Sequence, residues 1–191
     1  TGTPPPAWTQ AGFADPTRSG GSVPFDTSGA APATPLSPLS QAWYFRHAFT
    51  LTNPAAVDTM TLRIQANDGF VAWVNGTVVA TGNLPAGSPQ PGSTSPYLSG
   101  SVLPSVELTK EDACQTKSYT FKVAGLTTGT NVLTVLTSSG KPEPPRRSGL
   151  KNVSLTYALA QAENPRMFPN AVKQADPFPV RFAAPLQSVA F

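Results

Sequence analysis

Thr59-Met60-Thr61-Leu62-Arg63-Ile64-Gln65-Ala66-Asn67-Asp68-Gly69-Phe70-Val71-Ala72-Trp73-Val74-Asn75-Gly76-Thr77-Val78-Val79-Ala80 is the stretch that decides the fold class. Met60, Leu62, Ile64 and Ala66 alternate with Thr61, Arg63 and Gln65, the period of two that a strand imposes when one face is buried and the other wet. Asn67-Asp68-Gly69 predicts a turn. Residues 70–74 are almost wholly apolar, as expected of an inner strand covered on both faces. Asn75-Gly76 then separates that run from Thr77, Val78, Val79 and Ala80. An Asn-Gly pair between two β-rich runs signals a tight hairpin, because a type I′ turn needs positive φ at both central residues.

The same texture continues outward. In residues 42–51, Trp43, Phe45, His47, Phe49 and Leu51 point one way and Tyr44, Arg46, Ala48 and Thr50 the other, until Asn53-Pro54 ends the strand. Further strands are predicted over 118–123, over 132–137 after a turn at Gly129-Thr130-Asn131, and over 152–159, where Val153, Leu155, Tyr157 and Leu159 share a face. Residues 82–105 form a long Pro/Gly/Ser loop, and a second polar loop carries Pro142, Pro144, Pro145, Arg146 and Arg147. Short strands separated by turn signals, with no repeat of fixed period, describe an all-β sandwich and not a βαβ fold.

Composition agrees. The 191 residues include 22 Pro and 15 Gly, which punctuate turns and are excluded from helix interiors. With 39% hydrophobic residues, 10 Phe, 4 Tyr and 3 Trp, the chain has material for a core and is not a disordered segment. The expected organisation is a Pro/Gly-rich segment with a first strand region over 1–40, a sandwich body over 41–159, and an extended arm over 160–191. The arm is rich in proline, lacks glycine, and carries Met167, Phe168, Val172, Phe178, Val180, Phe182, Leu186, Val189 and Phe191.

The charge pattern excludes some partners. Thirteen basic and ten acidic residues give a net charge of +3, spread so thinly that no basic run exceeds Arg146-Arg147. Nucleic-acid binding needs a clustered basic stripe, so no nucleic acid is expected. No apolar stretch approaches the roughly 20 residues of a membrane-spanning helix. Low charge, abundant Ser and Thr, and a first residue that is Thr1 and not Met lead us to expect an exported protein, extracellular or at the cell surface. The single Cys114 permits no intrachain disulfide and no cysteine-built metal site.

The middle of the chain resembles the galactose-binding-like jelly-roll domains of exported bacterial proteins. Trp8, Phe13 and Asp15 match the family's opening motif, although Arg18 and Ser19 stand near the place of its second Trp. Trp43-Tyr44-Phe45-Arg46-His47-Ala48-Phe49 looks like its Tyr-Phe-Arg strand. Asn67-Asp68-Gly69-Phe70-Val71-Ala72-Trp73-Val74-Asn75-Gly76 is similar to its most specific hairpin, Gly129-Thr130-Asn131-Val132-Leu133 to its Gly-x-Asn-Val-Leu, and residues 153–159 to its closing strand. The resemblance implies a jelly-roll β-sandwich, here with extended N- and C-terminal arms. It also implies room for a structural Ca2+, although no loop has the spacing of a known calcium motif. No ligand motif of the family is matched, and the arm has no counterpart in it.

Catalytic patterns are sparse. His47 is the only histidine and shares a strand face with Trp43, Phe45 and Phe49, the setting of a hydrogen-bonded structural residue. One His and one Cys provide no local signature of a nucleophilic triad, and phosphate-cradling glycine motifs are absent. A glycosidase needs two carboxyl groups about 5–10 Å apart. The ten acids are Asp15, Asp26, Asp58, Asp68, Glu107, Glu111, Asp112, Glu143, Glu163 and Asp176, with Asp68 in a turn and Glu111-Asp112 read as a solvated pair. We therefore expect no enzyme and no cofactor.

Two non-catalytic functions follow. The first is a structural subunit whose arm, chiefly Phe178, Val180, Phe182, Leu186, Val189 and Phe191, docks on adjacent copies to build a homo-oligomer, fibre or surface layer. Terminal segments fray unless tied to a matching surface, and strand addition at a sheet edge supplies one. The second is a carbohydrate-binding module. There Tyr97 and Trp8 would contact a polysaccharide, since Tyr or Trp stacks on the apolar face of a pyranose while polar side chains satisfy its hydroxyls. Trp73 is expected to fill the sandwich core. Asn75-Gly76-Thr77 and Asn152-Val153-Ser154 are glycosylation sequons, but Asn75 already has a turn to make.

Overall fold

The computed structural model describes residues 4–14, 21, 25–26, 34–37, 42–85, 87–94, 115–139, 149–160, 178–179 and 183–187. They form two facing β-sheets with almost no helix. The elements are a 3-10 turn η1 (Pro6–Thr9), β1 (Phe25–Asp26), β2 (Thr34–Pro35), β3 (Ala42–Leu51), η2 (Pro54–Ala56), β4 (Val57–Asn67), β5 (Gly69–Val74), β6 (Thr77–Gly82), β7 (Lys117–Phe121), β8 (Gly129–Ser138), β9 (Gly149–Leu159), β10 (Phe178–Pro179) and β11 (Ala183–Gln187). The first sheet runs β2-β1-β9-β4-β7, with β10 also paired to β9; the second runs β11-β3-β8-β5-β6. All pairings are antiparallel except that of β1 with β2.

The alternation in β3 and β4 sets which face turns inward. Trp43, Phe45, Phe49 and Leu51 meet Met60, Leu62 and Ile64 across the sandwich, joined by Phe25, Phe70, Ala72, Val74, Leu133, Val135, Leu150, Val153 and Leu155. Each large side chain so buried contributes about 1.5–3 kcal/mol. The expected strands all form, and Asn67-Asp68-Gly69 turns the chain without pairing the strands on either side of it. β4 belongs to the first sheet and β5 to the second, so these residues carry the chain across the sandwich, and the Asp68 N–H donates to the Ser138 carbonyl of β8 at 3.1 Å. Asn75 and Gly76 do make the tight turn, at φ 47° and 84°.

β9 departs from a simple period of two. Arg63 pairs with Ser154 and Gln65 with Lys151, so two residues of β9 oppose one of β4. Asn152 holds the extra position at φ 46° and donates its side-chain amide to Gln65 Oε1 at 2.6 Å. This bulge lets Leu150 and Val153 both enter the core although they stand three apart.

Sheet two is buried on both faces. On its outer side lies a second cluster of Trp8, Ala42, Tyr44, Val71, Trp73, Val78 and Leu136, with Phe13 and Leu84 packed against it. Trp73 therefore does not fill the space between the sheets. Phe70, Ala72 and Val74 occupy the inner face of β5, and the pleat sends Val71 and Trp73 outward. The N-terminal segment covers them.

Candidate functional site

Three places in the fold are candidates for a site. The first is the N-terminal plug. Pro6–Thr9 curls into a 3-10 turn that delivers Trp8 onto the outer face of sheet two. Its ring meets Tyr44 at 5.3 Å and Trp73 at 5.7 Å, both edge-to-face, the arrangement that the ring quadrupoles favour. Arg46, next but one along β3 from Tyr44, donates to three carbonyls of the same segment: Trp8 at 3.2 Å through Nε, and Gln10 at 2.9 Å and Ala11 at 3.0 Å through Nη2. Desolvation by burial lowers the pKa of this guanidinium from its ordinary value. Trp8 is 0% exposed, so it cannot offer a stacking face to a sugar. The expectation that it contacts a glycan is corrected: it anchors the plug. Tyr97, the other glycan candidate, lies outside the described residues.

The second place is a cleft of about 20 Å³ on the flank where β4 and β7 face β5 and β6, lined by Ile64, Ala66, Asp68, Phe70, Gly82, Asn83, Gln115, Lys117 and Tyr119. That volume holds about one water-sized group. Phe70 and Tyr119 pack edge-to-face at 5.6 Å. Gly82 makes their approach feasible, since a Cβ there would stand 2.5 Å from the Phe70 ring and 3.2 Å from the Tyr119 hydroxyl. Burial raises the pKa of that hydroxyl. Asp68 is buried at the base, whereas Gln115 and Lys117 are exposed at the mouth. Chemically the cleft is an apolar floor with donors and acceptors at its rim. Nothing in the sequence pointed to it, because its residues come from positions 64 to 119 and meet only when the sheets stack.

The third place is the C-terminal arm. Phe178 belongs to β10 and pairs with Leu155 of β9; Leu186 belongs to β11 and pairs with Tyr44 of β3. The arm residues Val180, Phe182, Val189 and Phe191 lie outside the described residues. Both described strands of the arm thus lie on this chain's own sheets. Ala183 pairs with Arg46, Leu186 with Tyr44 and Gln187 with Trp43. β11 has one more residue than regular pairing allows, and its Pro185 falls within that irregular stretch. Proline has no N–H to give a ladder, so it is confined to edges and bulges.

The remaining polar candidates are structural in their surroundings. His47 is half-buried on β3 and is not without a partner. Asn75, the sequon residue, donates to Asn131 Oδ1 at 2.8 Å and to the Gly125 carbonyl at 3.0 Å, while its own Oδ1 accepts from the Val132 N–H at 2.9 Å. Asp58 forms an exposed ion pair with Lys122 at 2.9 Å. Among the described residues no group of three or more His, Cys, Asp or Glu could hold a metal ion, and no helix is long and apolar enough to cross a membrane. Comparison with protein-family models, with curated proteins and with solved structures finds no match for this chain.

Proposed function

We propose that this chain is a non-catalytic, exported β-sandwich that serves as a structural subunit, joining copies of itself through its C-terminal arm into an extracellular fibre or surface assembly. The observation that supports this most is how the arm is used. β10 lies on β9 of one sheet and β11 on β3 of the other, so one segment covers backbone edges in both layers along one flank. A segment that offers main-chain hydrogen bonds to a sheet edge is a strand donor, and strand donors serve between chains by the same chemistry as within one. The jelly-roll reading draws support from the strand order: β3, β4 and β5 alternate between the sheets, as do β6, β7, β8 and β9. The likeness to galactose-binding-like domains rests on the sequence motifs alone. Export is favoured by the charged content of only 12%.

Light scattering and electron microscopy of the full chain across a range of concentrations test the proposal. Filaments, sheets or concentration-dependent multimers support it. A monomer at every concentration overturns it.

A second reading, a carbohydrate-binding module, is favoured by the flank cleft, whose Phe70–Tyr119 floor, buried Asp68 and rim of Asn83, Gln115 and Lys117 suit one hydroxyl-bearing group. A panel of polysaccharides scored by the change in Tm checks it, with Tyr119→Phe expected to abolish any shift. No shift with any member removes the reading.

A further inference from the structure

The sheet edges carry an inference that rests on the self-association proposed above and says which contact makes it. An edge strand offers unpaired N–H and C=O groups to any other strand, and proteins blunt such edges with prolines, charges, short strands or covering loops. All of these devices occur here. The peripheral strands β2, β10 and β11 contain Pro35, Pro179 and Pro185. On the opposite flank β7 is five residues long and begins with the exposed Lys117. The backbone of β6 is already engaged at Val78, whose N–H donates to the Ser93 carbonyl at 2.9 Å and whose carbonyl accepts from the Gly92 N–H at 2.8 Å. A further strand therefore meets an obstructed edge at either end of sheet two.

A long edge that could take a foreign strand lies under β11. β3 pairs with β8 through ten successive positions, from Ala42 with Ser138 to Leu51 with Gly129. It pairs with β11 through three, with an irregularity between them. The arm that carries β11 is also distant in sequence from the body it completes: 18 residues separate Leu159, the end of β9, from Phe178 of β10, and three more separate Pro179 from Ala183. Among the described residues this short, interrupted pairing has the fewest paired positions in sheet two.

We propose that the arm is exchangeable: β10 and β11 of one copy together replace the same strands on a second copy, with β11 pairing antiparallel with Trp43–Arg46 of its β3. Closed and exchanged forms make the same backbone pairs, so the balance between them rests on connection entropy and protein concentration, not on a new interface. Reciprocal exchange closes a dimer, whereas one-way exchange leaves a β3 edge open at one end and propagates head to tail.

The test mixes two full-length chains. One is 15N-labelled and unmodified; the other is unlabelled Gln187→Cys in a Cys114→Ser background, carrying a nitroxide. They are unfolded together and refolded at the concentration where multimers form. Exchange is expected to cost the amides of Tyr44, Phe45 and Arg46 in the 15N chain most of their intensity, recovered on reducing the nitroxide, while Lys117–Phe121 keep theirs. If mixed multimers form and residues 43–46 keep their intensity, the exchange is wrong and self-association stands by another surface. If no multimers form, both fall. A label at Ser188→Cys, just beyond the paired residues, repeats the measurement should Gln187→Cys disturb the pairing.

Discussion

The guanidinium of Arg46, on a strand of sheet two, donates Nε–H to the carbonyl of Trp8 at 3.2 Å, across 38 positions of sequence, and so holds the N-terminal plug on the outer face of that sheet. Two further carbonyls, of Gln10 and Ala11, accept from its Nη2. The plug in turn keeps Trp73 and Tyr44 dry.

Arg46→Ala is expected to release the plug. Three hydrogen bonds from a charged donor are lost, and a cost of about 2–4 kcal/mol follows once partial solvation of the site is allowed for. Tryptophan emission should move to longer wavelength as Trp8 and Trp73 meet water. Urea unfolding followed by fluorescence reads both effects. Arg46→Lys, which cannot reproduce the planar fork, should fall nearer to Ala than to the native chain.

Asn131 is 0% exposed and fully committed. Its Oδ1 accepts from Asn75 Nδ2 at 2.8 Å and the Thr127 N–H at 2.9 Å, while its Nδ2 donates to the Thr127 and Gly129 carbonyls at 2.8 and 3.1 Å. Asn131→Asp turns two donated bonds into oxygen–oxygen repulsion at nearly constant volume. A loss of roughly 2–4 kcal/mol is expected in chemical denaturation, because a buried acceptor facing acceptors bears the desolvation cost of an unsatisfied group. Equal stability of the two chains would mean that this network does not hold the hairpin to β8.

Gly76 has φ +84°, and a Cβ there would overlap the side-chain amide of Gln10. Gly76→Ala should cost about 1–3 kcal/mol through backbone strain. Adding Gln10→Ala should recover only the steric share. The double-mutant cycle, read from Tm, separates the two contributions.

Burial holds the Tyr119 hydroxyl above the ordinary tyrosine value of 10.0. The folded state therefore keeps its proton to higher pH than the unfolded chain does. By linkage the corresponding stability is fully present below pH 10 and is lost as pH rises through the unfolded and then the folded pKa. In Tyr119→Phe this alkaline loss should be smaller. Melting curves from pH 8 to about 11 check the sign, and an identical alkaline decline in both chains would refute it.

Much of the fold was legible because a strand writes its two faces into alternate residues. Met60, Leu62 and Ile64, and Trp43, Phe45 and Phe49, mark the inner faces by their spacing alone, and Asn75-Gly76 marks the hairpin. The brief strands β1, β2, β10 and β11 were not legible as strands. Two to five residues are too few for a period to show, and their pairing energy comes from neighbours distant in sequence. Nor was the bulge at Asn152, since the unbroken alternation from Val153 to Leu159 hides the extra residue that precedes it.

The candidate sites divide along the same line. Sequence alone determined that β5 is covered on both faces, because Phe70-Val71-Ala72-Trp73-Val74 leaves no polar side to wet. It could not say what covers each face. Only the tertiary structure decided that Trp8 is an anchor and not a ligand platform, because its burial depends on Arg46 and Tyr44 meeting it from more than thirty positions away. Tertiary structure likewise assembled the flank cleft and set the described arm strands on β9 and β3. Periodicity is a local property of covalent geometry, and so it survives in one dimension. Which edge a strand completes, and which ring a tryptophan meets, are settled by contacts that form only when the sheets stack.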